Sequence, residues 1–260
     1  MTAREALAEA ERRLAAAGVE TPRVDAEWLV AHLLGTSRSG IAASLDEDVE
    51  SLEPLLRRRE AREPLAYVLG EWGFRRLTLK TDARALVPRP ETETLVERAL
   101  ALAAVVRKPR ILDVGVGSGA IALALKDERP DARVTGVDVS PDALALAREN
   151  ADRLGLDIEL RQEDGVAAAA EGWDLVVANP PYVGSLDGLQ PELRWEPEVA
   201  LVGRGVHERI ARAARARFLV LEAGDGQAAE IAALLERLGW SGVRVTFDLA
   251  GSERVVEATR

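Results

Sequence analysis

Ile111-Leu112-Asp113-Val114-Gly115-Val116-Gly117-Ser118-Gly119 is the stretch from which the chain is best read. Residues 111–114 are apolar enough, and β-branched enough, for a buried strand. Three glycines follow at alternate positions, and residues 120–125 open a helix. Glycine lets a backbone turn tightly and approach a ligand without a Cβ in the way. Gly-x-Gly alone is weak evidence of which ligand, because dinucleotide enzymes use a similar loop. Here the third glycine follows after one residue, and Asp113 stands two residues before the first. That variant points to S-adenosylmethionine rather than NAD.

Outward from this point, strand and helix alternate to the end of the chain. The pattern predicts strands near 110–114, 132–138, 156–161, 173–178, 217–223, 242–247 and 253–258. Between them lie helices such as 141–153, capped by Ser140 and led by Pro141. Another helix puts Ile231, Leu234, Leu235 and Leu238 on one face. Residues 166–170 read as a loop or helical turn. Such alternation gives a parallel sheet covered on both sides. Residues 248–252 are too few for a parallel crossover, so the last two strands should pair antiparallel.

The first 70 residues read as all-helical. Thr2 and Glu5 form a capping box, with Ala3, Leu7, Ala10 and Leu14 on one face up to Gly18. Thr21 is expected to cap a second helix, begun by Pro22 and carrying Val24, Trp28, Leu29 and Leu33. A third helix is expected over 48–62. Its Arg57-Arg58-Arg59 reads as a solvated face, with a patch for an acidic partner as the alternative. Phe74, Leu77, Leu79 and the glycines between 70 and 86 suggest a hairpin. Val87-Pro88-Arg89-Pro90-Glu91-Thr92-Glu93 then leads a helix to about 105. The expected organisation is a helical domain over 1–70, a hairpin linker over 71–90 and an α/β domain over 91–260. The fold class is α/β: a Rossmann-like seven-stranded sheet with its last strand antiparallel.

The 260 residues are 47% hydrophobic, enough for a sizeable core. A net charge of −10 gives no sign of nucleic-acid binding by the molecule as a whole. With no cysteine and two histidines, we expect neither disulfides nor a metal site. His32 reads as a helix-surface or packing residue, and His207 as a surface residue. No run reaches membrane-spanning length, and the charged start lacks a signal peptide's apolar core. A cytoplasmic monomer is expected.

Asp138 ends the second strand of the alternating part. A carboxylate there can accept both hydroxyls of a ribose. Asp164-Gly165 ends the third strand region, where an adenine edge would lie. Trp173-Asp174-Leu175-Val176-Val177-Ala178 is another buried strand, and it stops at Asn179-Pro180-Pro181-Tyr182. Both Asn179 and Pro180 precede a proline and are restrained, and neither proline has an N–H. This stiff corner stands at a strand's carboxyl end, where open α/β sheets bind ligands. Asn179 Oδ1 and the Pro180 carbonyl can each accept one N–H of a planar NH2 group, and Tyr182 can pack on its face. That arrangement suits methylation of an amide or arylamine nitrogen.

Together, the glycine loop, Asp138 and Asn179-Pro180-Pro181-Tyr182 resemble the class I N-methyltransferases. Pro64-Leu65-Ala66-Tyr67-Val68-Leu69-Gly70, the run 87–93, Glu196-Pro197 with Ala200-Leu201, and Asp248-Leu249-Ala250-Gly251 with Arg254 narrow this. They are similar to the peptide chain release factor glutamine methyltransferase family, over about residues 20–260. The resemblance implies a substrate, the glutamine of a Gly-Gly-Gln loop in class I release factors, and N5-methylglutamine as product. It implies that Gly115, Val116, Gly117, Ser118, Gly119, Asp138, Asp164, Gly165 and Asn179 hold S-adenosylmethionine, leaving S-adenosylhomocysteine. It places the glutamine amide against Asn179, Pro180, Pro181 and Tyr182, with Pro90, Glu91 and Thr92 close by. The helical domain would help to dock the release factor.

The family often carries Gly-Gly-x-x-Gly after Ala-Leu and Pro-Gly-Gly before the fifth strand. Here Gly203-Arg204-Gly205 and Ala216-Arg217-Phe218 stand instead, a shortened rim. Three other readings are a glutamine methyltransferase for a ribosomal protein, a nucleic-acid amino-methyltransferase, and an NAD-dependent dehydrogenase or nucleotide-binding module. The Pro-Glu-Thr-Glu after Arg89 favours the release-factor branch over the first. The second lacks a plainly basic region, and the third leaves Asn179–Tyr182 unexplained.

Overall fold

A computed structural model describes residues 1–185 and 188–260. It divides into two compact units: Met1–Glu71 with Leu189–Trp195, and Trp72–Gly188 with Glu196–Arg260.

The first unit is helical. Helix Ala3–Ala16 starts on the expected capping box, with Thr2 and Glu5 bonded reciprocally. Helices Pro22–Leu33, Leu52–Glu60 and Leu65–Leu69 follow, with a 3-10 turn at Arg38–Ala43. Leu7, Leu14, Leu29, Val30 and Leu56 form the core.

Three expectations for this unit need correction. Thr21 makes no side-chain cap; its hydroxyl donates instead to Asp25 Oδ1 at 2.8 Å. The third helix begins only at Leu52, because residues 48 and 49 are committed elsewhere. Asp48 bridges to Thr2, and the Val49 N–H donates to the Met1 carbonyl at 2.8 Å. The arginine run is not one solvated face. Arg57 pairs with Glu53 at the surface, whereas Arg59 is buried and donates to Asp25 at 2.6 Å and to Glu192 at 2.8 Å. Arg62 donates to both oxygens of Glu192. A guanidinium can be buried only against such partners.

Beyond the first unit's helices, β1 (Glu71–Phe74) and β2 (Leu77–Lys80) make a two-stranded sheet. Helix Thr92–Ala103 follows. The remaining strands are β3 (Arg110–Val114), β4 (Arg133–Asp138), β5 (Glu159–Gln162), β6 (Trp173–Ala178), β7 (Ala216–Glu222), β8 (Ser241–Phe247) and β9 (Glu253–Thr259). Among the described residues they form a seven-stranded sheet in the order β5-β4-β3-β6-β7-β9-β8. The first five run parallel, and β9 pairs antiparallel with both β7 and β8. β5 starts later than the pattern predicts. The Leu156 N–H is used to close the preceding helix on Ala151, so the strand begins beyond it.

Side chains alternate across the sheet as strand geometry requires. Ile111, Leu175 and Val177 pack on one face with Leu95, Leu123 and Leu144. Leu112, Val176 and Ala178 pack on the other with Ile210, Ile231 and Leu235. Both faces are covered, which is why β3 and β6 read as continuous apolar runs. Strand order reverses at β3, where the chain crosses from the β4 side to β6. In open α/β sheets that crevice, at the strands' carboxyl ends, takes the ligand.

Candidate active site

One rung of the sheet organises the site. Val137, Val114, Ala178 and Leu221 are successive partners across β4, β3, β6 and β7. One residue beyond that rung stand Asp138, Gly115, Asn179 and Glu222. Four strand ends therefore deliver a carboxylate, a glycine turn, an amide and a second carboxyl to the same edge.

Gly115, Gly117 and Gly119 all have positive φ, at 77°, 54° and 89°, which other residues adopt only with strain. The Gly117 N–H donates to Asp138 Oδ2 at 3.0 Å, and the Ser140 N–H to Oδ1 at 2.9 Å. Ser140 itself caps the next helix on Ala143. A carboxylate has about four acceptor positions, so half-buried Asp138 keeps two for a ligand. Asp113 is buried and accepts from the Ala122 N–H at 3.0 Å, while its Oδ1 has no partner. Burial pushes its carboxyl up to about 7. Exposed Asp164 caps the short helix Gly165–Ala169 through the Val166 N–H.

A cleft of about 260 Å³ runs along this edge. It brings together Gly115, Val116, Gly117, Ser118, Asp138, Asp164, Gly165, Asn179, Pro181 and Thr92. Gly119, Pro180, Tyr182, Pro90 and Glu91 do not line it. Gly119 and Pro180 are buried and Pro90 is exposed. Tyr182 lines a separate cavity of about 370 Å³, with Gly203, His207 and Gln227.

The corner after β6 is tied down on both sides. Val183 donates to the Leu201 carbonyl at 3.0 Å, and Gly203 donates back to Val183 at 3.1 Å. Gln227 Nε2 donates to the Tyr182 carbonyl at 3.3 Å. Asn179 Nδ2 donates to Thr92 Oγ1 at 3.3 Å, and the Glu222 carboxyl lies close enough to the Thr92 hydroxyl to be influenced by it. Burial pushes that carboxyl up to about 7, against the opposing influence of the Thr92 hydroxyl and the Arg254 charge. Burial, and then the nearby Glu222 carboxyl, also pushes the Tyr182 phenol up.

Two sequence features that sequence reading left without roles find them here. Buried Glu196 accepts from the Val87 N–H at 3.1 Å and pairs with Arg89, fixing the proline-rich corner. Burial raises its carboxyl despite Arg89. Asp248 accepts from Arg254 at 3.1 Å, and Arg254 also donates to the Ala223 carbonyl at 3.1 Å and to Asp225 at 2.8 Å. That clamp holds the end of β7 beside Glu222. His207 is not a bare surface residue: its half-buried Nε2–H donates to the Glu222 carbonyl at 2.7 Å. Burial holds its imidazole below the usual histidine range. Sequence reading missed Glu222 altogether. The available signal was an acidic residue closing the apolar run Phe218-Leu219-Val220-Leu221.

Residues 92–192 match the family model of the methyltransferase small domain, and residues 5–70 match that of the PrmC N-terminal domain. The fold is similar to the hMettl16 catalytic domain solved with an RNA hairpin, with a TM-score of 0.57 at 13% identity over 70% of this chain and 74% of that one. It is also similar to the Thermus thermophilus 16S rRNA N2 G1207 methyltransferase solved with AdoMet and guanosine. There the TM-score is 0.51 at 20% identity, over 73% of this chain and 49% of that one. The sheet, the glycine turn and the matched domain thus define a class I methyltransferase.

The particular branch follows from full-length relatives. The release factor glutamine methyltransferase of Deinococcus radiodurans is 42% identical over 100% of this chain and 99% of its own. That of Escherichia coli is 38% identical over 91% of each. The chain belongs to the release factor glutamine methyltransferase family.

Proposed function

We propose that the protein transfers a methyl group from S-adenosylmethionine to the side-chain amide nitrogen of a glutamine. The substrate is the glutamine in the Gly-Gly-Gln loop of class I release factors, and the product is its N5-methyl form. The observation that carries this reading is the single cleft lined by both the glycine turn with Asp138 and by Asn179.

The residues present suit the cofactor. Gly115, Val116, Gly117 and Ser118, with Gly119 closing the turn, would take its charged amino-acid end. Asp138 would accept the ribose hydroxyls with the acceptor positions its backbone donors leave free. Val139, 55% exposed and lining the cleft, offers an apolar face to the adenine beside Asp164 and Gly165. When bound, S-adenosylmethionine supplies a methyl group on a positively charged sulfur.

An amide nitrogen is a poor nucleophile because its lone pair is delocalised. Asn179 Oδ1 and the Pro180 carbonyl would each accept one of its N–H bonds. The chain's main contribution is orientation, worth up to roughly 7–11 kcal/mol when the attack geometry is fixed. Pro180 and Tyr182 stay in this reading because the Pro-Pro corner holds them next to Asn179 and Pro181 in the chain. Pro90 and Glu91 belong to the rim beside Thr92. The helical unit would dock the release factor, and the enzyme works as a monomer in the cytoplasm, without metal and without direct contact to nucleic acid.

Mass spectrometry of purified release factors and ribosomal proteins, after incubation with the protein and labelled cofactor, tests this. One methyl group on the Gly-Gly-Gln glutamine is expected. Label on a ribosomal protein alone would overturn the choice of substrate.

A further inference from the structure

Asn179 has an acceptor and a donor on one planar group, and the two differ only by a half-turn about χ2. Only one of the two orientations offers Oδ1 to a glutamine NH2. The other sets donor against donor. Something in the protein must choose between them.

We propose that Glu222, acting through Thr92, is a positioning residue that fixes which edge of the Asn179 amide faces the substrate. This rests on the reading of Asn179 as the acceptor for the glutamine amide. Asn179 and Glu222 stand one residue beyond paired Ala178 and Leu221 on adjacent strands. Thr92, 4% exposed, sits at the start of helix Thr92–Ala103, accepts from Asn179 Nδ2 at 3.3 Å and has the Glu222 carboxyl as the neighbour that can take its hydrogen. A hydroxyl has one hydrogen to give. Glu222 presents an acceptor oxygen, so Thr92 donates to it. The Thr92 oxygen can then only accept from Asn179, which turns Nδ2 inwards. Oδ1 is left for the cleft that Asn179 lines.

Glu222 is 2% exposed, and its Oε2 is buried without a partner. The charges of Arg254, Glu91 and Arg89 act on it, and it in turn acts on the Tyr182 phenol. A proton held on the unpartnered oxygen leaves the other oxygen accepting, so the relay keeps its direction in both protonation states. Glutamine at 222 would not keep it. An orphaned buried carbonyl is tolerated better than orphaned N–H groups, so its NH2 would turn towards Thr92. The Thr92 hydrogen would then be free for Asn179 Oδ1, and the amide would reverse.

The test compares Glu222→Gln, Thr92→Val and Thr92→Ser, alone and with Asn179→Ala. Single-turnover methylation of a release factor and cofactor titration are read on the same preparations. Glu222→Gln and Thr92→Val should each slow transfer about 10- to 100-fold, with cofactor affinity within about twofold of wild type. Thr92→Ser, which keeps the hydroxyl, should recover most of the rate lost in Thr92→Val. In the Asn179→Ala background, Glu222→Gln should slow transfer by less than about twofold, because coupled residues are not additive. Wild-type rates in both Glu222→Gln and Thr92→Val would overturn the relay. So would an equal loss from Glu222→Gln with and without Asn179, the mark of a merely structural role. If the wild-type protein leaves release factors unmodified, only the functional reading fails. The Asn179 side-chain NH2 signals in NMR then decide the relay. Protection from solvent exchange in wild type and Thr92→Ser, lost in Thr92→Val, supports it. Equal protection in all three sinks it.

Discussion

Asp138 accepts the Gly117 N–H at 3.0 Å, so the end of β4 holds the turn that follows β3. The same carboxylate faces the cleft. Replacing it with alanine removes the proposed ribose acceptor and loosens the glycine turn together. Asp138→Ala should weaken S-adenosylmethionine binding by at least about tenfold, since hydrogen bonds to charged groups contribute about 1.5–3 kcal/mol. The fold should persist, because Asp138 is a half-buried strand end. Calorimetry showing unchanged cofactor affinity would remove Asp138 from the site.

Asn179→Ala leaves the Pro180 carbonyl and the glycine turn in place. Cofactor binding should stay near normal while methyl transfer falls by about two to four orders of magnitude. That corresponds to roughly 3–5 kcal/mol of transition-state stabilisation. One net hydrogen bond supplies only about 1 kcal/mol, and the excess comes from lost alignment. Full single-turnover activity in this variant would reduce Asn179 to a turn residue.

Gly203 lies hard against the corner after β6. A Cβ built there would sit 2.6 Å from the Pro181 carbonyl oxygen. Backbone cannot swing aside as a side chain can, so Gly203→Ala must push residues 181 and 203 apart. We expect a loss of about 1–3 kcal/mol in stability and slower methyl transfer than that loss of folded protein explains. Urea unfolding alongside activity per folded molecule checks both, and wild-type values in each would show that the corner yields.

Asp113 titrates near 7 in the fold because it is buried, against about 4 in an unfolded chain. The folded protein therefore holds this proton more tightly. The stabilisation is complete below about pH 4 and is lost as pH rises through about 7. His207, kept neutral by burial, works the other way below about 6.5. Asp113→Asn isolates the first effect. Relative to that variant, the wild-type protein should lose unfolding free energy between pH 5 and pH 8. Parallel stability curves for the two proteins would show that Asp113 does not titrate in that range.

Much of the fold was legible where short-range pattern decides it. β3 and β6 are apolar runs stopped by glycines or prolines, and helix Pro141–Leu154 carries its own cap and leading proline. The parts that were not legible depend on partners distant in sequence. Leu52 starts its helix late because residues 48 and 49 bond to the chain's first two residues. Arg59 is buried because Asp25 and Glu192, 34 and 133 residues away, neutralise it. The glycine turn, Asp138 and Asn179 were visible as strand-end punctuation. Glu222 occupies an equivalent strand end, yet sheet order is what sets it beside Asn179, and local sequence does not carry sheet order.

The stretch Leu189–Trp195 belongs to the helical unit although it lies more than a hundred residues beyond the rest of it. Glu192 from that stretch is gripped by Arg59 and Arg62. The helical unit is thus not a detachable prefix. A chain cut after Glu71 would keep Glu192 and discard both of its guanidinium partners. Any transplant of this unit onto another scaffold has to carry two separated pieces of chain, and any truncation series has to be judged with an orphaned carboxylate in mind.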